Sequence, residues 1–402
     1  MVKAKFNAQT VSTCMVELVM IIILGYPNTS SLRAPIIIAA FVWSLLRKGS
    51  VINLRVFSPL QLFWSFGVFL LVAGSSLWAL DQTGVREVAT NTLWCAMISF
   101  ILFDYIVTYK TGVEDFVKLL YPVIAVLLLN VLINGTRDSN NRLSVAINEN
   151  VFGLISFGMC HYFFYLMLER KNRKALYSIF FGTLLLLSLF SGSRKVLLSL
   201  VIYAIGYIQF RNKEKNAKKF LFRWIVFFIV LLAAYFAIMN IDALYETIGQ
   251  RVETFLLFLS GEERADKSMY SRVTLIEAAF EAFKTHPVLG IGANNFKYYS
   301  HFISYSHNGY MEILCDFGLV GFVVYYVPIL VFLGMAIKNW NRGAQDAIVP
   351  LCVIIAFFVN EAAAVSYFSY HKYLLISVVL GFTENLRRER KRARKSLPKM
   401  TV

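Results

Sequence analysis

The sequence predicts an all-α polytopic membrane protein with about 12 transmembrane helices and one large external helical loop. Three observations carry this prediction. Of 402 residues, 58% are hydrophobic and only 16% are charged, against about 45–50% and about 25% in soluble chains. The apolar residues fall in runs that approach the ~20 residues a helix needs to cross the hydrocarbon core. The runs are continuous, whereas a barrel strand alternates over about 10 residues, and lipid tolerates no unpaired backbone, which leaves the helix as default. A soluble cytosolic enzyme, a disordered chain, a collagen and a disulfide-stapled secreted domain are excluded on the same composition.

The expected spans, in order, are 10–26, 34–46, 57–80, 88–109, 116–134, 149–168, 174–191, 195–210, 220–240, 317–337, 346–364 and 372–386. This divides the chain into nine N-terminal spans over 1–240, a loop over 241–316, three C-terminal spans over 317–386 and a basic tail over 387–402. Lys3 and Lys5 precede an apolar run, but no small-residue cleavage site follows, so no cleavable signal is expected. The five cysteines have no metal or redox spacing and read as small apolar packing residues.

The net charge of +16 invites a nucleic-acid reading, but its placement argues otherwise. With the N-terminus in the cytoplasm, 27 of the 40 Lys and Arg fall inside, at 3–5, 47–55, 110–118, 170–174, 211–223, 338–342 and 387–399. That is the positive-inside asymmetry, with both termini cytoplasmic. The run Arg387-Arg388-Glu389-Arg390-Lys391-Arg392 reads as an anchor at an anionic leaflet. No aromatic or Gly-rich motif accompanies it, so no nucleic-acid partner is expected.

Polarity instead collects in the loop over 241–316, which a compact membrane protein keeps for function. Leu244, Ile248, Val252, Phe255 and Leu259 recur at helical spacing, as do Val273, Ile276, Ala279, Phe280 and Phe283. The segment His286-Pro287-Val288-Leu289-Gly290-Ile291-Gly292 closes the second of these helices in a turn. A third helix is expected to begin near Ser306-His307-Asn308 and to run towards the tenth span.

Four details carry chemistry. Ser191-Gly192-Ser193-Arg194-Lys195 joins the seventh and eighth spans. It puts two cations on the face where the positive-inside rule disfavours them, and the Arg fork suits phosphate. Snorkelling to headgroups is the bland alternative. In Tyr270-Ser271-Arg272, Ser271 is a plausible N-cap, which puts Arg272 in a first turn where a cation is disfavoured unless an anion sits there too. A solvated Arg is the alternative. His307 lies with Asn308, Tyr310, Glu312 and Asp316 at a helix start. A lone His is more often structural, but beside two external Arg it can take a proton from an alcohol.

The runs His286-Pro287-Val288-Leu289-Gly290-Ile291-Gly292-Ala293-Asn294-Asn295-Phe296 and Ser306-His307-Asn308-Gly309-Tyr310-Met311-Glu312-Ile313-Leu314-Cys315-Asp316-Phe317-Gly318-Leu319-Val320-Gly321, with the Ser191–Arg194 and Ser271–Arg272 elements, resemble the bacterial O-antigen ligase and O-antigen polymerase family. The resemblance is sharp over about 190–325. It implies a membrane fold of the glycosyltransferase C type and a metal-independent, inverting glycosyl transfer that needs no cofactor. The absence of an Asp-x-Asp motif agrees. The implied donor is a glycan on a polyprenyl (undecaprenyl) diphosphate, and the acceptor is a glycan or a lipid-linked glycan. The implied catalytic residues are Arg194 and Arg272 on the diphosphate and His307 as base. Ser193, Lys195, Asn308, Tyr310, Glu312 and Asp316 are the candidate substrate-binding residues. The implied setting is the bacterial cytoplasmic membrane with the active site on the external face. Envelope-assembly proteins such as a flippase and a chain-length regulator are the expected partners beside membrane lipids.

Three functions remain open at this point. A polymerase of surface polysaccharide repeat units, O-antigen or capsule, is favoured by the compact chain. A ligase that moves finished glycan to lipid A-core or to a protein shares the motifs. A transporter or flippase of lipid-linked oligosaccharide fits the span count, but transporters place polar residues in mid-span, at broken helices.

Overall fold

The computed structural model describes residues 7–27, 30–47, 58–138, 141–145, 147–211, 217–260, 267–300, 302 and 305–396. The cationic positions Lys3, Lys5, Lys48, Arg55, Lys213, Lys215 and Lys399 lie outside the described residues.

All twelve apolar runs form helices. The first nine are α1 Ala8–Met20, α2 Ser30–Leu46, α3 Pro59–Gly74, α4 Gln82–Tyr109, α5 Val113–Asn134, α6 Glu149–Glu169, α7 Lys174–Phe190, α8 Arg194–Arg211 and α9 Ala217–Asn240. A small hairpin, β1 Thr136–Arg137 with β2 Leu143–Ser144, separates α5 from α6. The 241–316 region supplies α10 Asp242–Leu244, α11 Gln250–Leu259, α12 Lys267–Thr285 and α13 Phe296–Ser300. The chain ends with α14 Gly309–Asn341, α15 Ile348–Glu361 and α16 Tyr370–Ser396.

Among the described residues, seven helices are long and apolar enough to cross a membrane: Ala8–Gly25, Pro59–Leu77, Gln82–Tyr109, Val113–Asn134, Glu149–Glu169, Ala217–Asn240 and Gly309–Asn341. Against the expectation of about twelve spans, seven helices among the described residues have spanning length and composition. The apolar helices of the second and seventh runs are shorter. α8 carries Arg194, Lys195 and Arg211, α15 has 14 residues, and α16 continues into the basic tail.

The boundaries have local causes. Asn7, Asp81 and Asn148 cap α1, α4 and α6 by accepting Gln9 N, Gly84 N and Asn150 N. Pro59 opens α3, where its missing N–H costs nothing. One expectation is corrected: Ser271 does not cap α12. That helix starts at Lys267, one turn earlier, so Ser271 and Arg272 lie inside it and the first-turn dipole argument for Arg272 lapses.

α4 is the centre of the bundle, buried along most of its length and packed on α16, α3 and α2. α6 packs on α7, α8 on α15, and α14 on α3 and α12. Several polar groups inside are paired across helices, as burial favours. Arg47 pairs with Asp104 between α2 and α4, and Gln61 Nε2 donates to Ser99 Oγ (2.9 Å) between α3 and α4. α9 differs: none of its residues is buried, and Leu221, Phe228, Ile229, Leu232 and Phe236 point outwards. An outward apolar surface of this length is suited to lipid.

α14 is broken at Gly318, whose φ of 60° and ψ of −155° are open to glycine alone. The break frees carbonyls on one side and N–H groups on the other, and each finds a partner in the His286–Gly292 segment. Ile291 N and Gly292 N donate to Cys315 O and Asp316 O (2.9 Å each). Leu319 N and Val320 N donate to Pro287 O (2.9 Å) and Val288 O (3.1 Å). Irregular backbone in a spanning helix persists only when satisfied in this way. The residues that follow this segment are tied to the α3–α4 turn. Asn295 Oδ1 accepts Leu80 N (2.8 Å) and Asp81 N (2.9 Å), and Lys297 Nζ pairs with Asp81 (2.8 Å). This double attachment fixes the 241–316 region on one end of the bundle.

Candidate active site

At that end lies a polar cavity of about 450 Å³. Five cations line it, Arg142, Arg194, Lys195, Arg251 and Arg272, against two carboxylates, Glu149 and Glu246. Three of the sequence-predicted residues, Arg194, Lys195 and Arg272, are thus brought together from α8 and α12.

The turn between α7 and α8 makes this possible. Gly192 has a φ of +62°, and a Cβ there would come within 2.7 Å of Thr247 O and of Arg142 Cγ. The reversal is tight enough to start α8 at Arg194, so that its first two side chains enter the cavity. Ser193 is buried beneath them. Arg251 Nη1 reaches Gly192 O (3.5 Å), which binds the loop region to the turn.

Nothing in the sequence alone marks Arg251, and little marks Arg142. Arg142 is oriented by the hairpin: Nε donates to Asp138 Oδ2 (2.7 Å), and Nη2 lies 3.5 Å from Glu149 Oε2. Only the Asp138–Arg142 spacing across a turn could have suggested a fixed cation.

His307 precedes α14 with a φ of 59°, a left-handed conformation that a non-glycine residue adopts at a cost. Its ring is 4.2 Å from that of Tyr305, centroid to centroid. Burial, then Arg272, then Lys195 push its pKa down to about 4. His307 is thus within electrostatic reach of two cavity cations, and at neutral pH its imidazole is uncharged and able to accept a proton.

Neither His307 nor the remaining predicted residues line the cavity. Asn308 caps α14: Oδ1 accepts Tyr310 N and Met311 N (3.0 Å each), and Nδ2 donates to Ala362 O (3.2 Å). Tyr310 OH donates to Phe358 O. Glu312 is buried and accepts Ser306 N (2.7 Å). Asp316 is buried and accepts Tyr367 OH (2.6 Å). These side chains secure the stretch that carries His307.

A cavity with this excess of cations can hold a dense anion and stabilise negative charge that develops on it. A neutral imidazole within electrostatic reach of two of these cations can take the proton of an incoming hydroxyl. Residues 179–326 match the family described as O-antigen ligase, and the match includes Arg194, Arg272 and His307. A search of curated proteins found no match.

Proposed function

We propose that this chain, a member of the O-antigen ligase and polymerase family by its residues 179–326, polymerises surface polysaccharide repeat units from a polyprenyl diphosphate donor. The observation that carries this reading is the convergence of Arg194, Lys195 and Arg272 on one cavity with His307 in electrostatic reach.

In the proposed reaction the acceptor hydroxyl oxygen attacks the donor's anomeric carbon from the face opposite the diphosphate. The carbon–oxygen bond to the diphosphate breaks, and its electron pair leaves with the polyprenyl diphosphate. The new negative charge falls among Arg194, Arg272 and Lys195. His307 Nδ1 or Nε2 takes the acceptor's proton. In-line attack inverts the anomeric centre. Positioning and charge stabilisation supply most of the acceleration, and the cationic side chains do the neutralising that a metal ion does elsewhere. The cavity faces the exterior of the bacterial cytoplasmic membrane in this reading, and both termini are cytoplasmic.

The family description favours a second reading, a ligase that hands finished glycan to lipid A-core or to a protein. One experiment tests both. The purified protein in nanodiscs is incubated with lipid-linked glycan extracted from cells that lack this gene, with and without lipid A-core. Release of polyprenyl diphosphate with longer lipid-linked glycan supports the polymerase. Release that requires lipid A-core supports the ligase. No release from either mixture refutes the transferase.

A further inference from the structure

Three consecutive residues at the end of α15 and just past it, Asn360, Glu361 and Ala362, touch both halves of the site. Asn360 Nδ2 donates to Ser199 Oγ, and Ser199 Oγ donates to Lys195 O (2.7 Å), so Asn360 holds the first turn of α8. Glu361 is fully buried and accepts Tyr326 OH (2.9 Å) and Lys372 Nζ (3.4 Å). Lys372 Nζ also donates to Val365 O (3.3 Å), which closes the turn after α15. Ala362 O accepts Asn308 Nδ2 (3.2 Å), next to His307.

The head of α14 is seated on this turn. A Cβ on Gly309 would come within 2.4 Å of Glu361 Oε2 and 2.9 Å of Ala364 O, so only glycine permits the approach. Lys195 lies within electrostatic reach of Lys372, Arg272 and Glu361. An interior Lys–Glu pair is weak evidence for stability, because well-packed apolar residues often serve as well or better. Ionisable groups held inside a membrane bundle point instead to function.

We propose that the Asn360–Ala362 turn, braced by the Glu361–Lys372 pair, fixes the separation between the Arg194–Lys195 head of α8 and His307, and that Glu361 and Lys372 are positioning residues for the transfer step. This rests on the transferase reading. The cations hold the donor and His307 meets the acceptor, so their spacing sets the attack distance. An error of about 1 Å there can cost about 10²-fold in rate.

The test compares wild type, Glu361→Gln/Lys372→Met and Ser199→Ala in nanodiscs, on lipid-linked glycan extracted from cells that lack this gene. The double variant removes both charges together and leaves no lone buried ion. Ser199→Ala cuts the tie to α8 without touching any charge. Both are expected to lower kcat, the double variant by about 10²-fold, with unchanged KM for the donor and an unchanged thermal midpoint. A wild-type kcat in the double variant overturns the proposal, as does a loss that follows a lowered thermal midpoint. Should the double variant fail to insert, Ser199→Ala decides: wild-type kcat overturns, a lowered kcat at unchanged KM supports. If the wild type itself forms no product, the transferase reading fails. If it does and these variants match it, only the positioning role fails.

Discussion

The aromatic ring of Tyr305 lies 4.2 Å from the imidazole of His307 and is tilted 44° to it. The histidine is half-buried and feels two cations, Arg272 and Lys195, and both effects disfavour the imidazolium. His307 is therefore held in the proton-accepting form well below neutral pH. The diphosphate of the proposed donor would bring negative charge to the same place and work in the opposite direction.

That opposition predicts two different acid limbs. Only neutral His307 can act as base, so activity falls as pH drops through its pKa. The limb of kcat/KM reports the free enzyme and should lie near 4, whereas the limb of kcat reports the donor complex and should lie higher. His307→Ala should lower kcat by about 10²–10⁴-fold with donor binding intact. His286→Ala is the control, since His286 sits on the outer turn and faces Thr285 and Tyr299. A kcat limb at or below that of kcat/KM would remove His307 as the base.

Much of this arrangement is legible in the amino-acid order, for stateable reasons. Arg194 and Lys195 stand out as cations on a disfavoured face, and the Pro–Gly segment announces a turn. That the segment also repairs a broken spanning helix is not legible, because Gly318 sits in an apolar run that reads as continuous. Arg142 and Arg251 are ordinary loop arginines until the hairpin and Gly192 bring them to one cavity. Glu312 and Asp316 stand one helical turn apart, a spacing compatible with a binding face, and only the packing against Ser306 and Tyr367 turns them inwards. Ser271 misleads because capping residues also occur inside helices, and nothing in residues 267–270 breaks one.

Gly192 should be intolerant of a side chain. Alanine at a φ of +62° costs about 1–2 kcal/mol in backbone strain alone, and its Cβ would strike Thr247 O and Arg142 Cγ at 2.7 Å. Gly192→Ala should lower the thermal midpoint and weaken donor binding together. Gly334→Ala, whose Cβ would meet nothing within 4 Å, should change neither. Equal midpoints for the two variants would contradict the packing at the turn.

Sidedness can be read with a membrane-impermeant maleimide on spheroplasts. Cys14 is exposed and the other four cysteines are buried, so Cys14→Ser gives a quiet background. Ser260→Cys should label from outside and Lys171→Cys only after lysis; both positions are exposed. The reverse pattern would put the cationic cavity in the cytoplasm and end the proposed reaction.

Chelation separates two uses of the cavity's carboxylates. With Arg142, Arg194, Lys195, Arg251 and Arg272 lining the cavity, the proposed transfer should continue in EDTA at its full rate. Loss of transfer on chelation, restored by Mg²⁺, would instead assign Glu149 and Glu246 to a cation that bridges protein and diphosphate.

Arg194 and Arg272 approach the same cavity from different helices, and this predicts how conservative replacements behave. Lys keeps the charge but replaces a planar two-pronged donor by a single point, which cannot grip two phosphate oxygens at once. Loss of one donor aimed at developing charge typically costs about 10²–10³-fold in kcat. At least one of Arg194→Lys and Arg272→Lys should therefore lose about 10²-fold in kcat/KM. Arg272 has a second readout, because it also holds down the pKa of His307. Arg272→Leu should raise the kcat/KM acid limb above 4, as the imidazolium loses a repelling neighbour. Residual activity in the leucine variant is enough to measure the limb, because a pH profile is a ratio within one protein. An unmoved acid limb in Arg272→Leu would show that the imidazole does not face α12.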